Sequence, residues 1–344
     1  MKVAILGYGT VGKKLYDLLK DKYDVTRILN DQVNDNLFTC SMDDVLKTNP
    51  DTIFECLPNI PIAFEYQMQV LNNGINLISS NKAMIQSHYK ELIEAANRHN
   101  VILSFEAAVA GGIPFLHTII DTKKHDDIKG IRGIMNGTTN YILDSVFNRN
   151  VSYEEALNTA IKLGYAEANY SSDVDGDDVA YKVSLSMSLA FNTYVEKNAI
   201  VKYGIRYLND KVLDYARTNN YVIKLIGYGD KENAFVLPIF LPKDNLFANV
   251  NSNYNCVEIL SDNQDSIKLI GQGAGGLPTA DAMVSDLIRP FESLSTDNTL
   301  NITNSKKFRF LLSDGSDVKL TDNIKVSDLK DIVKEHCFVG GIYD

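Results

Sequence analysis

Between Gly164 and Lys182 the chain reads Gly-Tyr-Ala-Glu-Ala-Asn-Tyr-Ser-Ser-Asp-Val-Asp-Gly-Asp-Asp-Val-Ala-Tyr-Lys. Glu167, Asp173, Asp175, Asp177 and Asp178 crowd ahead of one lysine. Asp178 and Lys182 stand four residues apart, so a helix stacks them on one face. Carboxylates gathered beside a lysine suit a small zwitterion with an ammonium to bind and a hydroxyl to deprotonate. A solvated loop that caps a helix has the same composition. A calcium loop is excluded. With Gly176 at the invariant glycine of an EF-hand, Lys182 falls where the bidentate glutamate must stand.

The elements that must hold such a site begin at residue 2. Lys2-Val-Ala-Ile-Leu6 is a short apolar run, and Gly7-Tyr-Gly-Thr-Val-Gly12 follows directly. Residues 13–20 show helical spacing, with Val11, Leu15 and Leu18 on one face. Strand, glycine turn and helix in that order suit a dinucleotide. The first glycine allows the bend, the second admits a pyrophosphate and the third lets helix pack on strand. Apolar strands at 25–29, 52–57, 75–79 and 101–105 alternate with helices at 62–72 and 88–100. That alternation predicts a doubly wound parallel sheet. The second strand ends at Asn30-Asp31, where the adenosine ribose is usually met. Asp31 favours a free 2′-hydroxyl, whereas Arg27 and Lys22 suit a phosphate, so NAD and NADP both stay open.

After Glu106 the chain turns small and uncharged, as Ala107-Ala-Val-Ala-Gly-Gly-Ile-Pro114. Glu106 and the carbonyls of Val109 and Gly111 offer oxygen ligands to a hard cation, although a closely packed loop looks the same. Residues 131–135 are strand-like and Asn136-Gly-Thr-Thr-Asn140 is a polar turn. A helix is predicted from Tyr141, capped by Thr139 or Asn140. Helices over 153–163 and 179–189 follow, then antiparallel strands at 222–228, 235–240, 257–260 and 267–270. Gly271-Gln-Gly-Ala-Gly275 opens a further helix at 280–288, a second glycine loop suited to a cofactor. Beyond Pro290 the chain is polar, with a strand-like 308–312 and a helical 326–336.

A length of 344 residues accommodates two domains, and 45% hydrophobic residues suffice for sizeable cores. The net charge of −10 argues against nucleic acid and anionic membranes as partners. No run approaches the ~20 apolar residues of a membrane helix. With a strand starting at residue 2, no leader peptide is expected. Cys40, Cys56, Cys256 and Cys337 are scattered, which fits a reducing cytosol and no zinc site.

In this order the motifs resemble those of homoserine dehydrogenases. The likeness covers residues 1–290. It is carried by Gly7-x-Gly-x-Val-Gly12, Ser80-Asn-Lys82, Glu106 through Pro114, Asn136-Gly-Thr-Thr-Asn140, Gly164-Tyr-Ala-Glu167 through Lys182, and Gly273-Ala-Gly275 with Thr279-Ala280. The resemblance implies reversible oxidation of L-homoserine to L-aspartate 4-semialdehyde with NAD or NADP, in threonine, methionine and isoleucine biosynthesis. Lys182 is then the proton shuttle at the substrate hydroxyl, and Lys82 reaches both cofactor and substrate. Glu167, Asp178, Asp173, Asn136 and Thr138 are implied substrate contacts. Gly7, Gly9, Thr10, Val11, Gly12, Asn30, Leu57, Pro58, Lys82, Gly164, Gly273 and Gly275 are implied cofactor contacts. Glu106, Val109, Gly111 and Ile113 match the family's loop for a monovalent cation, Na+ or K+.

The implied architecture is α/β. An N-terminal Rossmann-type dinucleotide-binding domain spans 1–130 and is rejoined by 271–290. An α+β substrate and dimerisation domain spans 131–270, in a cytoplasmic homodimer. Residues 291–344 are expected to form a short extension, too short for the C-terminal ACT domain that many members carry. Two departures bear on the cofactor. Asn30 stands where NADP-preferring members often place Arg, and Cys56-Leu-Pro-Asn59 replaces a Thr- or Gly-rich turn. Aspartate-semialdehyde dehydrogenase, a rival, needs a nucleophilic cysteine at a helix start beside a histidine, and no cysteine here has that setting. A catalytically silent nucleotide sensor would lack the lysine and acid positions that this chain keeps.

Overall fold

The computed structural model describes residues 1–32, 35–58, 60–166 and 169–343. The chain divides into two compact units. The first comprises Met1–Lys124, Asn192–Tyr194 and Ala274–Thr299, and the second His125–Phe191, Val195–Gly273 and Leu300–Asp344.

The first unit runs β1 (Lys2–Leu6), α1 (Thr10–Leu19), β2 (Asp24–Leu29), β3 (Phe38–Thr39), α2 (Met42–Leu46), β4 (Thr52–Glu55), α3 (Ile60–Asn72), β5 (Asn76–Ser79), α4 (Lys82–Ser87), α5 (Tyr89–His99), β6 (Leu103–Ser104) and α6 (Phe115–Thr122). Its sheet has the order β3-β2-β1-β4-β5-β6, every pair parallel. From Val3 to Leu6, β1 is an unbroken apolar run and wholly buried, as a central parallel strand covered by helices on both faces must be. Strand order reverses between β1 and β4, so the ligand crevice of such a sheet lies at their carboxyl ends.

The second unit runs β7 (Ile128–Ile134), α7 (Gly137–Asn148), α8 (Tyr153–Lys162), α9 (Ser171–Val174), α10 (Asp177–Phe191), β8 (Val201–Lys202), α11 (Asp210–Thr218), β9 (Tyr221–Asp230), β10 (Ala234–Pro242), β11 (Tyr254–Ser261) and β12 (Asp265–Gln272). The next helix, α12 (Gly276–Ile288), belongs to the first unit. The chain then adds β13 (Lys307–Ser313), β14 (Val318–Lys325), α13 (Leu329–Ile332) and β15 (Phe338–Ile342) to the second. Eight strands follow the order β12-β11-β7-β9-β10-β15-β13-β14, and β8 also pairs with β10. The helix α10 packs on β7, β9 and β10. Glycines in β9 admit it: a Cβ on Gly227 would stand 2.6 Å from Val183 and one on Gly229 2.4 Å from Met187. That close seat fixes the face of α10 on which Lys182 lies.

Three expectations change. The tail after 290 is not a mere extension, since residues 307–342 supply three strands of the second sheet. The helix expected over 326–336 amounts to short turns around α13. His336 then takes a left-handed φ of 62° and the chain enters β15. The helix expected from Tyr141 begins at Gly137, because Asn136 caps it. Among the described residues no helix is long and apolar enough to cross a membrane.

Candidate active site

In the second unit the site residues gather around the start of α10. Asp177 and Asp178 occupy its first turn, where negative charge complements the helix dipole. One turn on, Lys182 donates from Nζ to Asp178 Oδ2 at 2.8 Å and to the Met135 carbonyl at 2.6 Å. Both side chains are buried, which an ion pair tolerates only when well hydrogen-bonded. Met135 directly follows β7. The next residue, Asn136, accepts the Thr139 amide at 2.8 Å through its side-chain oxygen. Its amide nitrogen donates to Asp173 Oδ1 at 2.6 Å and Asp178 Oδ2 at 2.9 Å. A continuous line results: Asp173, Asn136, Asp178, Lys182, Met135. Thr138 donates to the Tyr165 carbonyl nearby. Glu167 lies outside the described residues.

The rest of the acidic run faces elsewhere. Asp175 takes a forked contact from Arg206 at 2.5 and 2.7 Å. Asp177 binds Lys197 at 3.0 Å and Lys202 at 2.7 Å. Burial pushes the Asp177 carboxyl up, but hydrogen bonds from the two lysines prevail and leave it below its ordinary value. Gly164 follows α8 with φ of 74°, exposed and with open space on its Cβ side. Gly273 is tight instead, since a Cβ would fall on the Asn255 side chain.

The structure adds Lys224, which the sequence did not single out. On β9 and 1% exposed, it donates to Asn140 Oδ1 at 2.9 Å and to the Val250 carbonyl at 2.7 Å. Asn140 in turn donates to the carbonyls of Val250 and Tyr254. The two residues tie α7 to the segment leading into β11. Burial lowers the Lys224 ammonium to about 8, against an opposing pull from Asp144.

In the first unit the glycine turn follows β1. Gly7 has φ of 98°, and a Cβ on Gly12 would stand 2.1 Å from the Gly7 carbonyl oxygen. Gly9 meets nothing within 4 Å on its Cβ side. It caps α1 without a side chain, and the first turn, with Thr10 and Val11, carries no acid. An open, uncapped, positively polarised helix start fits a pyrophosphate. The α12 start adjoins it, since a Cβ on Gly276 would stand 2.9 Å from Thr10 Cγ2; Gly275 before it has φ of 125°. At the end of β2, Asn30 donates from its side chain to the Gln32 carbonyl at 3.0 Å. After β4, Cys56 and Leu57 border the Gly7 bend, since a Cβ on Gly7 would stand 3.0 Å from the Cys56 carbonyl oxygen and 3.3 Å from Leu57 Cδ2, and Pro58 follows. Lys82 is the first residue of α4 and is half-buried.

The Glu106 carboxylate is committed inside this unit. It accepts the amides of Leu116 at 3.0 Å and His117 at 2.7 Å, and lies 2.5 Å from His117 Nδ1. It therefore caps α6, which has no acid of its own in the first turn. Asp286 completes the cluster by accepting the Glu106 amide at 2.9 Å. Burial, then the neighbouring Glu106 charge, pushes the Asp286 carboxyl well above its ordinary value. Ala110 and Gly111 follow with left-handed φ of 59° and 56°. The Glu106 carboxylate that the sequence offers as a cation ligand is thus engaged by donors within the protein. Among the described residues no group of three or more His, Cys, Asp or Glu side chains could hold a metal ion.

Residues 114–288 match the homoserine dehydrogenase family model. The homoserine dehydrogenase of Lactococcus lactis is 33% identical to this chain over 315 residues, spanning 84% of the chain and 74% of the relative. The chain belongs to the homoserine dehydrogenase family. A second relative, the homoserine dehydrogenase of Synechocystis, is 34% identical across 84% of the chain and 72% of its own length. Among solved structures, the homoserine dehydrogenase of Thiobacillus denitrificans has a TM-score of 0.84 at 27% identity, covering 91% of this chain and 82% of that one. A Staphylococcus aureus homoserine dehydrogenase covers all of this chain and 98% of its own, with a TM-score of 0.78 at 26% identity. Homoserine dehydrogenases are oxidoreductases acting on a CH–OH group, and this chain is such an enzyme. In this homoserine dehydrogenase the two lysines singled out by sequence lie in different units, Lys82 in the first and Lys182 in the second.

Proposed function

We propose that Lys182 is the acid–base residue for the interconversion of L-homoserine and L-aspartate 4-semialdehyde. One observation carries this: the buried Lys182 ammonium is held by Asp178 and the Met135 carbonyl, in line with Asn136 and Asp173. In the oxidising direction Lys182, once deprotonated, accepts the hydroxyl proton. Asp173 and Asp178, with Glu167, receive the substrate ammonium, while Asn136 and Thr138 orient the amino-acid end. Lys82 assists at the hydroxyl and the cofactor. When bound, NAD or NADP supplies hydride acceptance at nicotinamide C4. Gly7, Gly9, Thr10, Val11 and Gly12 hold its pyrophosphate, Asn30 faces the ribose, and Leu57, Pro58, Gly164, Gly273 and Gly275 complete its surroundings. A monovalent cation, Na+ or K+, rests on the carbonyls of the Glu106–Ile113 loop. The enzyme works as a cytoplasmic homodimer, with the β12 edge available for pairing and four free cysteines suited to a reducing compartment.

The test is the initial rate of NAD and of NADP reduction with L-homoserine at about pH 9, where a lysine base is favoured, for wild type and Lys182→Ala. Turnover by wild type alone supports the assignment, and the ratio of the two cofactor rates gives the preference. Equal turnover in Lys182→Ala removes Lys182 from the mechanism.

A further inference from the structure

A carboxylate sits where the first unit has least use for one. Glu55 ends β4, a parallel strand buried on both faces, and is itself 0% exposed. An apolar residue would serve packing better, because a buried anion must recover its lost hydration through hydrogen bonds. Glu55 does recover it. Oε1 accepts the Leu57 amide at 2.6 Å. Oε2 accepts Gln67 Nε2 and Ser79 Oγ, both at 2.6 Å. Gln67 and Ser79 are also 0% exposed, and Gln67 donates again to Ser79 at 3.0 Å.

The bonds continue into the next turn. Ser79 Oγ accepts the Asn81 amide at 3.1 Å, and the Glu55 carbonyl accepts the Ser80 amide at 3.2 Å. Asn81 closes the loop: its Nδ2 donates to the Leu57 carbonyl at 2.9 Å, and its Oδ1 caps α4 through the Met84 amide at 3.3 Å. Lys82 opens that helix. One buried side chain thus anchors the turn after β4, which borders the Gly7 bend, and the turn after β5, which delivers Lys82.

We propose that Glu55 is a positioning residue that fixes the Leu57 turn and the Lys82 backbone together, so that cofactor contact and the second lysine are set by one group. The proposal rests on the role given to Lys82 above. Glu55 touches neither substrate nor cofactor. It acts through Leu57, Ser79 and Asn81. Burial raises its carboxyl above the ordinary range while Ser79, Leu57 and Gln67 pull it back, in keeping with three donors aimed at two oxygens.

The experiment is a double-mutant cycle of Glu55→Gln with Lys82→Met, read as kcat and cofactor KM, with melting temperatures recorded for every variant. Glu55→Gln keeps the volume and removes the charge. A shift of about 1 Å at Lys82 predicts a fall in kcat of about ten- to a hundredfold with a raised cofactor KM. In the Lys82→Met background the further loss in kcat should nearly vanish. Should Glu55→Gln fail to fold, Ser79→Ala cuts the same relay while leaving Glu55 in place, and should show the same non-additivity. Moving the acid across, as Glu55→Gln with Gln67→Glu, should restore part of the activity. Wild-type kinetics in both Glu55→Gln and Ser79→Ala, or losses that simply add to that of Lys82→Met, overturn the proposal. Wild-type turnover in Lys82→Met alone instead overturns the role of Lys82, and the function of Glu55 falls with it.

Discussion

The Asn136 amide nitrogen lies 2.9 Å from Asp178 Oδ2, the oxygen that also receives the Lys182 ammonium. The carboxamide cannot turn away freely, because its own oxygen caps α7. Asn136→Asp should therefore keep the cap, since Asp serves as well as Asn there. It places a third carboxylate beside Asp173 and Asp178, and added negative charge favours a protonated Lys182. The pH at which homoserine oxidation accelerates should move upward. A kcat profile superimposable on wild type would count against the Asn136–Asp178–Lys182 line.

Lys182→Arg separates charge from proton transfer. Arginine keeps a cation for Asp178 but does not give up its proton in this pH range. Turnover should drop by about a hundredfold or more, with cofactor binding, followed by fluorescence, close to wild type. Substantial turnover in the arginine variant would exclude Lys182 as the base.

Lys224 makes stability depend on alkaline pH. Its ammonium is lowered to about 8 in the folded protein, from an ordinary 10.5. Between those values the unfolded chain binds more protons than the folded one, so this group makes stability rise with pH over that window. Lys224→Met removes the rise. The check is urea unfolding of both proteins from pH 7 to 10. Curves that differ by a constant offset would show that Lys224 does not titrate there.

Gly9 and Gly12 should fail in different ways. Gly9 is open, with φ of −78° that alanine accepts. Gly9→Ala should melt like wild type yet raise the cofactor KM. Gly12→Ala forces a Cβ against the Gly7 carbonyl and should destabilise by roughly 1–3 kcal/mol. Thermal unfolding beside a cofactor titration distinguishes them, and equal melting temperatures would contradict the packing role of Gly12.

Much of the first sheet is legible in sequence, because β1, β2, β4 and β5 each carry a short apolar stretch, and Gly7, Asn30 and Ser80 close β1, β2 and β5. The Asp178–Lys182 contact is legible too, since helical spacing alone brings them together. The division of the acidic run is not. Lys197, Lys202 and Arg206, which draw off Asp177 and Asp175, come later in the chain, and only tertiary folding brings them back. Lys224 reads as an ordinary strand lysine until Asn140 and the Val250 carbonyl surround it. Glu55 is hidden for the same reason, as its partners sit on α3 and β5. The tail misleads because Phe338-Val-Gly-Gly-Ile shows no alternation, and Gly340 is required there by the Phe240 ring, 2.5 Å from where its Cβ would stand.

The place of β15 between β10 and β13 bears on how the chain is made. As the ribosome releases β9 and β10, the edge at Ile239 and Phe240 is apolar and awaits its partners Gly341 and Ile342. An unpaired apolar edge invites pairing with another nascent chain. The same late strand also joins the β13–β14 hairpin to the rest of the sheet. Shortening the chain before Phe338 would therefore damage the yield of soluble protein, even though no residue proposed for chemistry lies beyond Gly275.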